Sequence, residues 1–543
     1  MLSRNLDPTR LILDESGGWA FGANMYLPYE KEPKKFNDIH NYAGAYINEK
    51  IYNSYVTMAM TEEEKKARGM GKFKSEGRSK VVPGMMSFLS ELGYGSLAEL
   101  VSVNKKFEAE GNPLTPAYRY HKRLHEEQKQ MLVETGLKSL YPDMRKFYLE
   151  QQHVHGTANK RMIEAVRSNP YMDGYCVHAL TGGDWILGAG LLDLWRNPKS
   201  YAYEATKAAN QPRIVSVRTI PRNVYAKQGM SLKITGINDL ENIAANYEVS
   251  IQSKDGEQVY INNFKLNWKT GINLLLNKKI NTENWSGHYT VKVKVRDNLD
   301  HVLTENFIDF EVFDQKDLKA PAGKVAVLDF NGDLKSFLQK NNVKTIDFSS
   351  NLTQDIPVLV CTNKAKNNEE LKLFKLLLKF VESGGTAVYL DRLTDSVKTE
   401  NIITPFTARV HPSKGLWTCI PHIAGEHPIF EGLQNNGFLR NSYENIWPKK
   451  SLRDLKVNGV KVEEKPLVAS VAFDWFSRGH KMGYSGPGPS WWGADMTFVP
   501  LKKGLYLLSQ FELLENLGKD PVADLSLIHI SEPTRRYAIS YSV

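Results

Sequence analysis

Met85-Met86-Ser87-Phe88-Leu89-Ser90-Glu91 is an apolar run that ends on a carboxylate, and Leu92-Gly93-Tyr94-Gly95-Ser96 closes it with a glycine-rich turn. A short apolar run bounded by turn signals reads as a buried strand. Three further segments repeat the form. Arg10-Leu11-Ile12-Leu13-Asp14 runs into Ser16-Gly17-Gly18, and Phe36-Asn37-Asp38-Ile39-His40 runs on towards Gly44. Gly174-Tyr175-Cys176-Val177-His178-Ala179-Leu180 is followed by Thr181-Gly182-Gly183. Helical patterns lie between them, the clearest over residues 124–151. Strands that alternate with helices and end on polar residues point to parallel-sheet units with chemistry at the strand C-termini. Four such units, over residues 1–207, make half a barrel.

Beyond residue 207 the period changes to two. Tyr289-Thr290-Val291-Lys292-Val293-Lys294-Val295 sets valines on one face and lysines on the other. Residues 214–218 and 231–235 read the same way, with Asp255-Gly256 among the turn signals. Residues 208–318 are therefore expected to form an antiparallel, immunoglobulin-like β-sandwich. A third unit, residues 319–524, returns to alternation: strands over 324–329, 345–348 and 357–362, a helix over 333–339, and a long amphipathic helix over 368–382. That helix stops at Gly384-Gly385 before a strand over 386–391, the pattern of a doubly wound α/β domain. It carries no Gly-x-Gly-x-x-Gly or Gly-x-x-x-x-Gly-Lys loop, so no nucleotide site is expected.

The chain of 543 residues is too long for one core, and 41% hydrophobic with 24% charged residues excludes wholesale disorder. A net charge of +9 is mild over this length. The dense charged stretch at residues 62–80 mixes both signs and reads as a solvated helix and loop, which argues against a nucleic-acid partner. Three cysteines, Cys176, Cys361 and Cys419, match no zinc or redox spacing. The His153-Val154-His155 pair is too isolated for a metal and reads as a surface loop, so neither metal nor cofactor is expected. No apolar run approaches the roughly 18 residues of a membrane span. The first twenty residues lack the marks of a signal peptide. Localisation stays open, with a periplasmic or secreted setting favoured over a cytoplasmic one.

Glu91 is the sharpest chemical candidate, because a carboxylate at a parallel strand's C-terminus points into the mouth where substrates bind. Four motifs in order then carry a resemblance: Leu6-Asp7-Pro8-Thr9-Arg10, Asn37-Asp38-Ile39-His40-Asn41-Tyr42, Ser90-Glu91-Leu92-Gly93-Tyr94-Gly95-Ser96, and Gly188-Ala189-Gly190-Leu191-Leu192-Asp193-Leu194-Trp195-Arg196-Asn197-Pro198-Lys199. Residues 1–207 resemble glycoside hydrolase family 2, the family of β-galactosidases, β-glucuronidases and β-mannosidases. The resemblance implies strands five to eight of a (β/α)8 barrel and a retaining exo-β-glycosidase acting on oligosaccharides or glycans, with Glu91 as the nucleophile. His40 and Tyr42 would bind sugar hydroxyls or hold Glu91. Asp184 and Trp185, after the last strand, would face the sugar, with Trp185 stacking on its apolar face. His178 is placed with the substrate, although many family members carry Trp near that position, a departure that alters the sugar subsite. The family's acid/base Glu belongs to an Asn-Glu pair upstream of the Asp-Pro-Thr-Arg motif. The chain is thus expected to be a C-terminal fragment of a bacterial enzyme, inactive alone, and Glu15 does not replace the missing acid.

Residues 319–524 resemble the glutamine-amidotransferase-like modules appended to some glycosidases, on the strength of Gly425-Glu426-His427-Pro428-Ile429-Phe430-Glu431-Gly432-Leu433. Cys361 and Cys419 lack the sharp small-residue elbow that a nucleophilic Cys needs. Tyr484-Ser485-Gly486-Pro487-Gly488-Pro489-Ser490-Trp491-Trp492-Gly493 reads as a rigid loop for packing or oligomer contact, and a homo-oligomer is allowed. Leu525-Ser526-Leu527-Ile528-His529-Ile530-Ser531-Glu532-Pro533-Thr534-Arg535 resembles the conceptual translation of a sequencing-library adapter. Residues 525–543 are therefore expected to pack poorly and take no part in the fold. The alternative functions are a noncatalytic carbohydrate-binding or scaffold protein and, third, an amidotransferase-like enzyme.

Overall fold

The structure is a computed structural model that describes residues 2–14, 21–67, 81–182, 188–362, 364–393, 406–413, 419–457, 459–462, 464–474 and 487–532. The first unit is a five-stranded sheet in the order β1 (Ile12–Leu13), β2 (Phe21–Tyr26), β3 (Lys34–Asn41), β4 (Ser87–Leu92) and β5 (Met172–Val177). β3, β4 and β5 are parallel, as the alternation predicts. β1 and β2 are not: β1 pairs antiparallel with β2, and β2 antiparallel with β3. Seven residues separate Leu13 from Phe21, and seven separate Tyr26 from Lys34. A parallel crossover needs a dozen or more, so this stretch folds as a meander.

The helices of this unit are α1 (Leu2–Leu6), α2 (Glu49–Val56), α3 (Glu62–Ala67), α4 (Leu100–Ala109), α5 (Pro116–Glu134), α6 (Met144–Arg167) and α7 (Ser200–Ala209), and residues of α2, α4, α5, α6 and α7 share a buried core with Ile39 and Leu89 of the sheet. The single helix expected over residues 124–151 is two. Gly136 takes φ of 72° after α5, and Pro142 precedes Asp143, whose carboxylate caps α6 by accepting from the Arg145 amide at 3.0 Å. His153 and His155 therefore lie on α6, not on a surface loop. His155 is buried and His153 stacks on Tyr201 with ring centroids 4.4 Å apart.

The sandwich packs a five-stranded sheet (Gln258–Trp268, Ile243–Ser253, Gly287–Arg296, Val302–Phe313, Asn223–Tyr225) on a three-stranded one (Gly271–Ile280, Met230–Asn238, Arg213–Ile220). The period of two is realised directly: Tyr289, Val291, Val293 and Val295 are buried while Lys292 is exposed. Fully burying such a side chain contributes about 1.5–3 kcal/mol. That gain fixes which face turns inward.

In the third unit the strands Lys344–Asp347, Lys324–Leu328, Val358–Val360, Thr386–Tyr389 and Gly504–Ser509 are parallel, with α8 (Asp333–Lys340) and α9 (Asn368–Glu382) between them. The sheet then continues antiparallel through Ser490–Leu501, Lys465–Phe473, His422–Ala424 and Gly437–Phe438. Doubly wound thus describes only its first half. Residues 490–493, expected in a rigid loop, begin the strand Ser490–Leu501. Trp491 is buried, and the Trp492 indole donates to Glu134 of α5 at 3.0 Å. The contact made by this aromatic run lies within the chain.

The last helix, α10 (Pro521–Ile530), overturns the expectation of poor packing over its described part. Leu525, Leu527, Ile528 and Ile530 are buried in one core with Val325, Leu359 and Leu507, so the third unit does not end at residue 524. A helix apolar on most faces fits where core surrounds it. Residues 533–543 lie outside the described residues.

Candidate active site

β3 supplies the first half of the site by strand periodicity alone. Phe36 faces a small apolar cluster with Met25, Leu13 and Phe88, while Ile39 packs into the large core shared with the helices. Side chains two apart share a face, so Asp38, His40 and Tyr42 follow Phe36 away from the helical layer.

β4 would not meet them without a defect. Leu89 pairs with Ile39, but Glu91, not Ser90, pairs with His40. On the other side Leu89 pairs with Tyr175 and Leu92 with Val177, three steps against two. Both neighbours thus count one extra residue in β4, a β-bulge at Ser90. Bulges re-aim side chains. Strict alternation would put Glu91 on the face of Leu89, which is fully buried beneath the helices. The bulge sets Ser90 and Glu91 both towards the β3 face, where the Ser90 hydroxyl donates to Asp38.

The Glu91 side chain is 30% exposed and, among the described residues, has three polar neighbours. The Tyr42 hydroxyl donates to its Oε2 in a short hydrogen bond. His40 Nδ1 lies 3.7 Å from the same oxygen and 3.5 Å from the Tyr42 hydroxyl. His178 Nε2, at the end of β5, lies 4.0 Å away. Burial holds the His178 imidazole below its ordinary pKa, although Glu91 pulls it back up. Near neutral pH His178 is therefore uncharged, and Glu91 sits among a phenol and two imidazoles.

Glycine makes the turn after Glu91 possible. Gly93 has φ of 155°, and a Cβ there would stand 2.9 Å from the His178 carbonyl oxygen. The His178 amide donates to the Leu92 carbonyl at 2.8 Å, so the ends of β4 and β5 are drawn together. Below the turn, α6 meets its polar groups. Asn159 accepts from the Tyr94 amide at 2.9 Å, the Gln152 side chain donates to the Leu97 carbonyl at 3.1 Å, and His155 Nδ1 is 2.9 Å from the Ser96 hydroxyl.

The structure thus brings together Glu91, His40, Tyr42 and His178. Asp184, Trp185 and Glu15 lie outside the described residues. Sequence reasoning passed over Asp38 and Ser90, although Asp38 sits two residues before His40 in an open period-two pattern. It also passed over the polar face of α6, with Gln151, Gln152 and Asn159, and read His155 as part of a surface loop. Among the described residues no group of three or more His, Cys, Asp or Glu is arranged to hold a metal, and no helix is long and apolar enough to cross a membrane. In the third unit, burial and the adjacent Asp329 push the Cys361 thiol far up. A nucleophilic cysteine needs the opposite shift.

No protein-family model matches the chain, and no curated protein matches it. The solved structures that resemble it in part include glycoside hydrolases and a CARDB domain from Pyrococcus furiosus. An exo-β-D-glucosaminidase overlaps at 16% identity and a TM-score of 0.31, over 50% of this chain and 30% of its own. The Amycolatopsis orientalis exo-chitosanase overlaps at 16% identity and 0.24, over 31% and 20%. The Bacteroides uniformis β-glucuronidase 2 overlaps at 11% identity and 0.16, over 34% and 28%. The chain spans less than a third of the length of each of these three hydrolases. Overlap of this size fixes neither fold nor chemistry, and the site is read from its own residues.

Proposed function

We propose that this chain carries the nucleophile of a retaining exo-β-glycosidase of family 2 type, with Glu91 in that role. The observation that supports it most is the convergence on Glu91 Oε2 of the Tyr42 hydroxyl and two imidazoles, produced by a bulge that turns the carboxylate out of the core. Among the described residues the hydrogen bond falls on Oε2, which leaves Oε1 to attack. In the first step Oε1 forms a bond to the anomeric carbon as the bond from that carbon to the leaving oxygen breaks. A second carboxyl, about 5–5.5 Å away in retaining enzymes, gives that oxygen its proton and then activates water against the glycosyl ester. No described residue is assigned that part.

A probe that needs no acid tests the nucleophile by itself. In a 2-deoxy-2-fluoro-β-glycosyl fluoride the leaving fluoride requires no proton, and the 2-fluoro group slows breakdown of the ester. Probes of gluco, galacto, manno and glucurono configuration are incubated with the protein, which is then digested and read by mass spectrometry. One configuration is expected to add a single glycosyl group to the peptide that holds Glu91, and Glu91→Gln to abolish the adduct. Sugar binding with no adduct under any probe would favour the noncatalytic carbohydrate-binding reading.

A further inference from the structure

Lys199 ends the last of the four motifs, next to α7, and the residue is 2% exposed. A lysine this deep needs a reason, because an ammonium loses its water on burial. Here three carbonyls replace that water. Lys199 Nζ donates to the Ser96 carbonyl at 2.7 Å, to Gly188 at 3.2 Å and to Ala189 at 3.1 Å. An ammonium has three N–H groups, and each finds an acceptor. Ser96 belongs to the turn that follows Glu91. Gly188 and Ala189 belong to the segment that follows β5 and His178.

We propose that Lys199 is a positioning residue for the active site, a three-pronged clamp that ties the loop behind Glu91 to the loop behind His178 and so sets the carboxylate against its neighbours. The proposal rests on the glycosidase reading above. Two contacts reinforce the clamp: the Ser96 amide donates to the Gly188 carbonyl at 2.8 Å, and the Lys199 amide donates to the Leu191 carbonyl at 2.8 Å. The second loop is as tight as the first, since a Cβ on Gly190, at φ of 92°, would lie 2.2 Å from the Gly182 nitrogen. Among the described residues, Asp193, His121 and His155 interact electrostatically with Lys199. Asp193, on its own loop, favours the ammonium, while the imidazoles of His121 on α5 and His155 on α6 are disfavoured as cations by it. Burial brings the Lys199 pKa down to about 7 despite Asp193. Lys199→Met removes the donors and keeps the bulk.

The test compares wild type with Lys199→Met, and with Lys199→Gln should the first fold poorly. Two readouts are taken on the full chain. The first is the rate of Glu91 labelling by the reactive 2-fluoroglycosyl fluoride, resolved into its saturating rate and its half-saturation concentration. A misplaced nucleophile lowers the saturating rate, by about 10–100-fold for a displacement near 1 Å, and moves the half-saturation concentration by less. The second is amide hydrogen exchange, expected to quicken in residues 93–98 and 188–192 and to stay unchanged in the sandwich. Wild-type labelling kinetics in Lys199→Met, or unchanged exchange in both loops, overturns the proposal. A wild-type protein that takes no label refutes the glycosidase reading instead, and exchange then decides whether the clamp exists.

Discussion

Tyr42 makes one hydrogen bond that matters to chemistry, and its removal is a clean experiment. A hydrogen bond to a charged group is worth about 1.5–3 kcal/mol. Tyr42→Phe keeps the ring but leaves the Glu91 carboxylate without the donor that orients Oε2. The rate of Glu91 labelling should fall by about 10–100-fold, since 1.36 kcal/mol is a factor of ten. Measuring labelling at saturating probe checks this, and an unchanged rate would remove Tyr42 from the site. At this scale much was legible. Glu91 ends an apolar run with turn residues after it, and that pattern names it from sequence, whereas His40 and Tyr42 were named through the family resemblance. Lys199 was invisible in its role, because nothing in Asn197-Pro198-Lys199 says that the lysine is buried or that three carbonyls from two loops meet it.

At the scale of elements, the bulge at Ser90 sets which face Glu91 takes, because an unbulged β4 that kept Ser90 would turn the carboxylate to the side of Leu89, under the helices. Deleting Ser90 removes the bulge but leaves Glu91 directly after Leu89, so alternation keeps it opposite His40 on the face away from the helices. The deletion variant should therefore still take label at Glu91, while it loses the hydrogen bond from Ser90 to Asp38. Loss of labelling in a folded deletion variant would show that the bulge places the carboxylate by more than its choice of face. The sequence could not disclose this bulge, because register depends on what the neighbouring strands present. The meander of β1 and β2 was missed for a related reason: the run over residues 10–14 looks like any buried strand, and only the shortness of its connection forbids a parallel partner.

Helix α6 carries a second prediction at this scale. His155 is fully buried against Ser96, and burial holds its pKa well below 6.5. The unfolded chain takes up a proton near 6.5 while the folded chain does not. Its stabilising contribution is therefore complete above pH 6.5 and is lost as pH falls below that value. At pH 5 the loss is about 2 kcal/mol for a group that stays neutral in the fold. His155→Gln has no such proton to bind. The destabilisation caused by His155→Gln should accordingly be smaller at pH 5 than at pH 7.5, measured by denaturant unfolding at both. An equal or larger penalty at pH 5 would mean that His155 is protonated in the folded state.

At the scale of the molecule, the three units are joined by buried polar contacts and do not hang as beads on a string. The Tyr46 hydroxyl, in the loop after β3, donates to the Leu439 carbonyl at 2.6 Å, and the Tyr94 hydroxyl accepts from the Ile420 amide at 3.3 Å. One residue past Gly93, the turn behind Glu91 thus stays in touch with the third unit. A cluster of charges lies where all three units meet. Glu49 of α2 holds Arg161 of α6 at 2.5 Å and Arg218 of the sandwich at 3.1 Å. Burial alone would raise the Glu49 pKa, but the two guanidinium groups outweigh it and hold it low. Beside them Arg222 of the sandwich meets Glu444 of the third unit at 3.1 Å, with side chains 5% and 2% exposed. The changes of period suggested where units divide, but nothing in the sequence points to these contacts, since their partners lie more than a hundred residues apart.

The Arg222–Glu444 pair offers the sharpest test of that assembly. Burial raises the Glu444 pKa, and Arg222 and Arg161 oppose the rise, so the carboxylate depends on its partners for its charge. Removing one member of a buried pair leaves the other charge uncompensated, at a cost of about 3–5 kcal/mol. Glu444→Ala should lose stability by about that amount, because Arg222 loses its nearest carboxylate and keeps the Asp309 carbonyl, which its Nη1 meets at 3.1 Å, with Glu49 and Asp309 as further charges. Replacing both partners by apolar residues of similar size, Arg222→Met with Glu444→Leu, should restore most of the loss, since a well-packed apolar pair is often as stable as a buried ionic one. Calorimetry distinguishes the assemblies. If the units unfold together, Glu444→Ala lowers the whole transition or splits the third unit from the rest. If they unfold independently, only the sandwich and third-unit transitions shift, the first unit melts as before, and the exchange of residues 93–98 stays at its wild-type rate. That last result would break the link between the third unit and the turn behind Glu91.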